Sequence, residues 1–151
     1  MPSGKRRRRP RKGNIEVFQK IHVFRVKPGQ EIMGEVGKCC REKGITSGVV
    51  IGLIGSVQSA KLNFLKSLPG KYVTESYAGP LEIAAGQGSV ALKGNDLIVH
   101  IHVQLSGQEA CFGGHLVEAM AFSTAEVVIG ELDFQLRRYA DEYTGLNELE
   151  S

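Results

Sequence analysis

The stretch "NDLIVHIHVQLSGQEACFGGHLVEA", Asn95 to Ala119, carries the clearest strand pattern in the chain. Two runs that alternate between apolar and polar residues flank Ser106-Gly107-Gln108-Glu109. Period-two alternation marks half-buried strands, and glycine at the first central position of a two-residue loop marks a type II′ turn. With Gly107-Gln108 as that turn, the spacing predicts a hairpin in which Leu105 faces Ala110, Val103 faces Phe112 and His100 faces His115. Directly paired residues share a face of the ladder. Leu97, Val99, Ile101, Val103 and Leu105, with Ala110, Phe112 and Leu116 opposite, make a core face. His100, His102 and Gln104, with Cys111, Gly113 and His115 opposite, make the other. Three of the four histidines therefore converge on one patch. A bulge at Gly113-Gly114 would shift the register by one and turn His115 away.

Upstream, Val17 to Val26 alternate and end at Pro28-Gly29, which predicts a first strand. "QEIMGEVGKCCREKG", Gln30 to Gly44, has helical spacing, with Glu31 suited to the first turn, Arg41 and Lys43 to the last, and Gly44 to the stop. Gly34 and Gly37 each weaken this helix by about 1 kcal/mol relative to alanine, and close packing against a sheet accounts for them. From Ser47 to Asp133 the chain reads as strands and turns: "SGVVIGLIGSVQSAKLNFL", "KYVTESY", "GPLEIAAGQGSVAL" with a break at Gly86 and Gly88, the histidine hairpin, and "TAEVVIGELDF". The tail "YADEYTGLNELES" reads as weakly helical or frayed. The expected class is α+β, a single domain built mainly of antiparallel β-sheet with helix on one face.

Three imidazoles on adjacent strands suit Zn²⁺ or a similar ion and leave a fourth position for water or another ligand. Such a site is expected to empty as pH falls through roughly 6 to 7, the range of unperturbed rings. Neutral histidines that hydrogen-bond across a subunit interface fit the same pattern. His22, alone on the first strand, reads as a structural histidine, and Cys111 as a bystander toward the turn. No catalytic residue is assigned. Glu118 falls on the apolar side, Glu82 and Glu126 lie on other strands, and the chain lacks CxxC, GxSxG and a Walker-type GxxxxGK[ST].

The 151 residues carry a formal charge of +3, unevenly placed. Residues 1 to 12 hold seven Lys/Arg and no acid, which leaves 12 Lys/Arg against 16 Asp/Glu, a formal −4, in the rest. A mildly acidic body with one basic arm points to a detachable polyanion-binding segment. No apolar run resembles a signal peptide or a membrane span, so no membrane partner is expected. Three cysteines, Cys39, Cys40 and Cys111, do not make a disulfide framework and suggest a reducing compartment.

The segments "IHVFRVKPGQEI", "GVVIGLIGSVQSAKLNF", "YAGPLEIAAGQGSVAL", "HIHVQL", "CFGGHLVEA" and "TAEVVIGEL", in this order, resemble the plant-and-prokaryote conserved domain over Val17 to Leu136. The resemblance implies a flanked antiparallel sheet, assembly as a homotrimer, and in some prokaryotic members a metal held by histidines like His100, His102 and His115. Plant members carry AT-hooks and bind DNA in the nucleus. Their Gly-Arg-Phe-Glu-Ile-Leu partner segment reads Gly79-Pro80-Leu81-Glu82-Ile83-Ala84 here, without the Arg and Phe, so that partner function is not carried over. "RRRPRK", Arg7 to Lys12, resembles an AT-hook in which Arg8 replaces the central glycine. A Cβ there collides with the minor-groove floor, so phosphate attraction stays while A·T selectivity weakens. The expected organisation is a basic arm over 1–14, the domain over 15–138 and a tail over 139–151. The leading function is DNA binding, by Lys5, Arg6, Arg7, Arg8, Arg9, Pro10, Arg11 and Lys12 presented from a trimer, in a bacterial nucleoid or a eukaryotic nucleus. The competing functions are a zinc protein or metal-dependent enzyme, and a structural trimer that presents a partner-binding surface.

Overall fold

A computed structural model describes residues 18–150, and the basic arm, Lys5 to Lys12, lies outside them. The element order is β1 (Phe18–Val26), α1 (Ile32–Lys43), β2 (Gly48–Ser67), β3 (Lys71–Lys93), β4 (Asp96–Ser106), β5 (Cys111–Leu132), β6 (Arg138–Ala140) and β7 (Asn147–Leu149). The first five strands form one antiparallel sheet in the order β1-β5-β2-β3-β4, and β4 also pairs with β5. That extra pairing closes β2, β3, β4 and β5 into a ring. The fold is the α+β class expected, mostly antiparallel sheet with one helix among the described residues.

Closure needs long, bent strands. β5 pairs with β4 through Cys111 to His115 and with β1 through Ala125 to Leu132, while β2 runs along its other edge. Four register shifts between β2 and β5 provide the bends. At one of them Gly55 has φ +143, and a Cβ there would run into the backbone of Thr124 and Ala125. The ring encloses Leu53, Leu62, Ile101, Leu105 and Leu116, all fully buried.

The helix covers this core with Ile32, Val36 and Cys40. Glu31 is its N-cap rather than a first-turn residue: the carboxylate accepts from the Met33 and Gly34 amides, and from the Ala119 amide of β5 at 3.1 Å. Gly44, at φ +70, ends it as expected. Gly34 and Gly37 do not pack against the sheet. A Cβ at 34 would meet the Glu31 carboxylate at 3.0 Å, and one at 37 the Arg41 guanidinium at 3.2 Å, so both make room for side chains of the helix itself.

"KYVTESY" and "GPLEIAAGQGSVAL" are one 23-residue strand, β3, not two. Its irregularity against β4 falls at Ile83/Ala85, and Gly86 and Gly88 continue the ladder. Gly88 is a close approach: a Cβ would overlap the His100 carbonyl on β4.

The tail is not helical. β6 and β7 pair Arg138 with Leu149, Tyr139 with Glu148 and Ala140 with Asn147. The turn between them is chemical: the Asp141 carboxylate accepts from the Thr144 amide at 2.7 Å, and Gly145 takes φ +69. The hairpin is tied back to the sheet by the Gly70 amide on the Thr144 carbonyl at 2.8 Å and by a bridge between Leu92 and Arg137. Among the described residues no helix is long and apolar enough to cross a membrane.

Candidate metal centre

The register of the histidine hairpin differs from the expected one by two residues. His102 faces His115, Gln104 faces Gly113, Leu105 faces Phe112 and Ser106 faces Cys111. The loop is Gly107 to Ala110, closed by the Gly107 amide on the Ala110 carbonyl at 2.8 Å. Gly107 does not take the positive φ that a II′ turn demands; the two-residue turn with a positive-φ glycine is Gly94-Asn95, between β3 and β4. A slip of two residues preserves every face, so the histidines still converge. No bulge intervenes at Gly113-Gly114.

His100 and His102 project from one face of β4, and His115 joins them from β5. Ring centroids are 4.9 Å apart for His100–His115, 5.0 Å for His100–His102 and 5.6 Å for His102–His115. One candidate ligand nitrogen from each ring lies within 4.8 Å of the others. His102 is exposed, and the other two are half-buried. Burial lowers the His100 pKa to about 4, with His115, Arg138 and His102 adding to it. Burial also lowers His115, with help from His102 and Arg138. Both rings are therefore neutral near pH 7, and the expected window of pH 6 to 7 for proton competition shifts to more acidic values at these two rings.

Arg138 is the neighbour that the spacing did not reveal. It reaches in from β6, 8 % exposed. It donates to the Asn147 carbonyl at 2.7 Å, to the Ser89 hydroxyl at 2.8 Å and to His100 Nδ1 at 3.3 Å. A guanidinium only donates, so His100 Nδ1 accepts, and the neutral ring carries its proton on Nε2. A metal at Nδ1 must displace this contact, which is longer than an ordinary N–H hydrogen bond. A tetrahedral zinc with Zn–N bonds of about 2.0–2.1 Å needs the nitrogens roughly 3.3 Å apart. Three imidazoles on fixed strands thus fit a divalent ion of the zinc type.

A cleft of about 410 Å³ opens beside the patch, lined by Asn63, Tyr72, His100, His115, Arg138 and Asn147 among others. The remaining candidates stand apart. His22 is 7 % exposed and meets Glu131 at 2.9 Å, a structural histidine as read. Cys111 lies by Ser106, outside the histidine group. Glu118 faces Lys61 at 3.4 Å, away from the rings.

A model of the Plants and Prokaryotes Conserved (PCC) domain matches residues 14–133. The chain belongs to this family. Solved structures similar to it include a metal-containing protein of Archaeoglobus fulgidus, 30% identical, with a TM-score of 0.81 over 91% of this chain and 100% of that one. A plant- and prokaryote-conserved protein of Pyrococcus horikoshii is 27% identical, with a TM-score of 0.81 over 89% and 93%. The fold recurs, at 22% identity and a TM-score of 0.81 over 91% and 98%, in a Bacteroides thetaiotaomicron protein described as a proposed DNA-binding protein. Among curated proteins, the bifunctional protein GlmU of Synechococcus sp. (strain JA-3-3Ab) is 29% identical over 133 residues, 86% of this chain. The PCC-domain chain spans about a fifth of the length of the curated relatives it matches, 20%.

Proposed function

We propose that this PCC-domain protein binds a divalent metal, zinc by preference, through His100, His102 and His115. The observation that carries the reading is the meeting of three histidine nitrogens within 4.8 Å of one another. The lowered pKa values of His100 and His115 favour it, because protons compete little for those rings at neutral pH. The Archaeoglobus relative, described as metal-containing, supports it. Three protein ligands leave a position open, as in sites where zinc meets a further ligand. The test is zinc uptake by purified protein, read by elemental analysis and titration. His100→Ala and His115→Ala should each abolish stoichiometric binding, and His22→Ala should not. Protein that takes up no zinc near neutral pH would make the three histidines structural.

The basic run Lys5 to Lys12 favours a second role, DNA binding through the backbone, in a nucleoid or a nucleus. Assembly as a homotrimer would present three such arms and multiply weak contacts. An apolar strip on the outside of β1, β5 and β2 supports assembly: Ile21 is 47 % exposed, Val23 70 % and Ile54 53 %. Phe18 and Ile51 both lie over Gly130, so the three strands contribute to one continuous patch of the kind that partners cover. DNA affinity should fall with salt at a log–log slope of about −0.9 per phosphate contacted. Deletion of residues 1–12 should remove it, and unchanged affinity would refute the role of the arm.

A further inference from the structure

Arg138 is the charge that the metal reading leaves unexplained. Its acceptors are all neutral: a carbonyl, a hydroxyl and an imidazole nitrogen. Its Nε–H is buried with no acceptor, and among the described residues no carboxylate lies within ion-pair distance of it. Burying a cation without a directly paired anion is unfavourable, and a metal on the adjacent histidines adds two more positive charges to the same half-buried space. Three neutral imidazoles supply no compensating charge. Of the residues lining the cleft only Glu148 is acidic; its charge favours the Arg138 cation but is outweighed by burial, and the two make no ion pair.

We propose that the cleft takes a small molecule with an oxyanion head, a carboxylate or a phosphate, which completes the coordination of the histidine-held metal and is clamped by the Arg138 guanidinium. The inference rests on the metal reading above. The planar fork of arginine matches both head groups, whereas a lysine would offer a point charge. The contact of Arg138 with His100 places the clamp beside a metal ligand, so an anion on the metal is within reach of it. The cleft, about 410 Å³, is in the size range of small-molecule sites. Ile98, Val99 and Leu146 give it an apolar wall for a carbon skeleton, while Asn63 and Tyr72 offer polar groups for orientation.

The test uses full-length protein loaded with Co²⁺, whose visible spectrum reports its ligands. Inorganic phosphate and succinate are titrated separately at constant ionic strength, with chloride as control. A saturable spectral change with phosphate or succinate, but not chloride, is expected, and the tighter of the two assigns the head group. Arg138→Lys should weaken that binding about tenfold or more while cobalt stays bound; should the variant fail to fold, the wild-type titration still decides. Bound cobalt that ignores both anions would overturn this proposal and leave the metal reading standing. So would equal anion affinity in wild type and a folded Arg138→Lys. A response that appears only in Glu148→Gln would also overturn it, because Glu148 would then close the site. Absence of cobalt uptake would overturn the metal reading and this inference with it.

Discussion

Acidification of the metal-free protein should destabilise it through the histidine patch. In the fold the His100 pKa is lowered from 6.5 to about 4, mainly by burial. In an unfolded chain the same ring takes up its proton near pH 6.5. Between these values the unfolded state binds more protons than the folded one, so stability falls as pH falls. The penalty is absent well above pH 6.5 and complete below about 4. Lowering the His100 pKa from 6.5 to about 4 corresponds to about 3.4 kcal/mol. The ring is only half-buried, and allowing for solvent screening leaves about 2 kcal/mol for His100. His115 acts in the same direction. At an m-value of about 2 kcal/mol/M the urea midpoint should drop by about 1 M from this ring alone between pH 7 and pH 4. Carboxylates titrate in the same range, so the readout is a difference between proteins. Urea midpoints are measured with chelator at both pH values for wild type and His100→Asn, and the variant should lose about 1 M less. Equal losses would refute the placement of His100 in a desolvated, cation-rich patch.

Gly88→Ala should cost about 2–3 kcal/mol and weaken zinc binding, because the new Cβ can only be accommodated by moving the His100 backbone; denaturation and zinc titration read both. Glu31→Ala removes the α1 cap and the bond from the Ala119 amide, and should cost about 1–2 kcal/mol in urea unfolding with zinc affinity unchanged. Val23→Glu sets a charge in the exposed apolar strip and should convert a trimer to smaller folded species in light scattering; wild-type protein that is monomeric at micromolar concentration would remove the basis for assembly through this face.

What was legible in the sequence is what depends on neighbours along the chain. The α1 ends at Glu31 and Gly44 are set by local hydrogen bonds, and both could be read within a residue or so. The histidine face was legible for a different reason. The loop was misassigned, and the pairing moved by two residues, from His100 opposite His115 to His102 opposite His115. Strand periodicity is also two, so the error left every side chain on its side. A one-residue error would have scattered the patch. Sheet closure was not legible, since the β4–β5 and β2–β5 pairings that make the ring are long-range, and no short window contains both partners.

The same distinction explains why the histidines were found and Arg138 was not. His100, His102 and His115 lie within one hairpin, whose alternation specifies their common face. Arg138 comes 23 residues after His115, directly before a tail, residues 139–151, that reads as weakly helical or frayed. It reaches the patch only because the Asp141 turn folds the tail into a hairpin and the contact of Gly70 with Thr144 docks that hairpin beside the β2–β3 turn. Its position therefore depends on packing between distant elements. A buried guanidinium hydrogen-bonded only to neutral groups, with Glu148 too far to pair with it, is an unfavourable arrangement unless something compensates it. The inward-facing charge of Arg138 is better explained by an anion that comes and goes than by the stability of the tail, which backbone pairing and the Asp141 turn already hold in place.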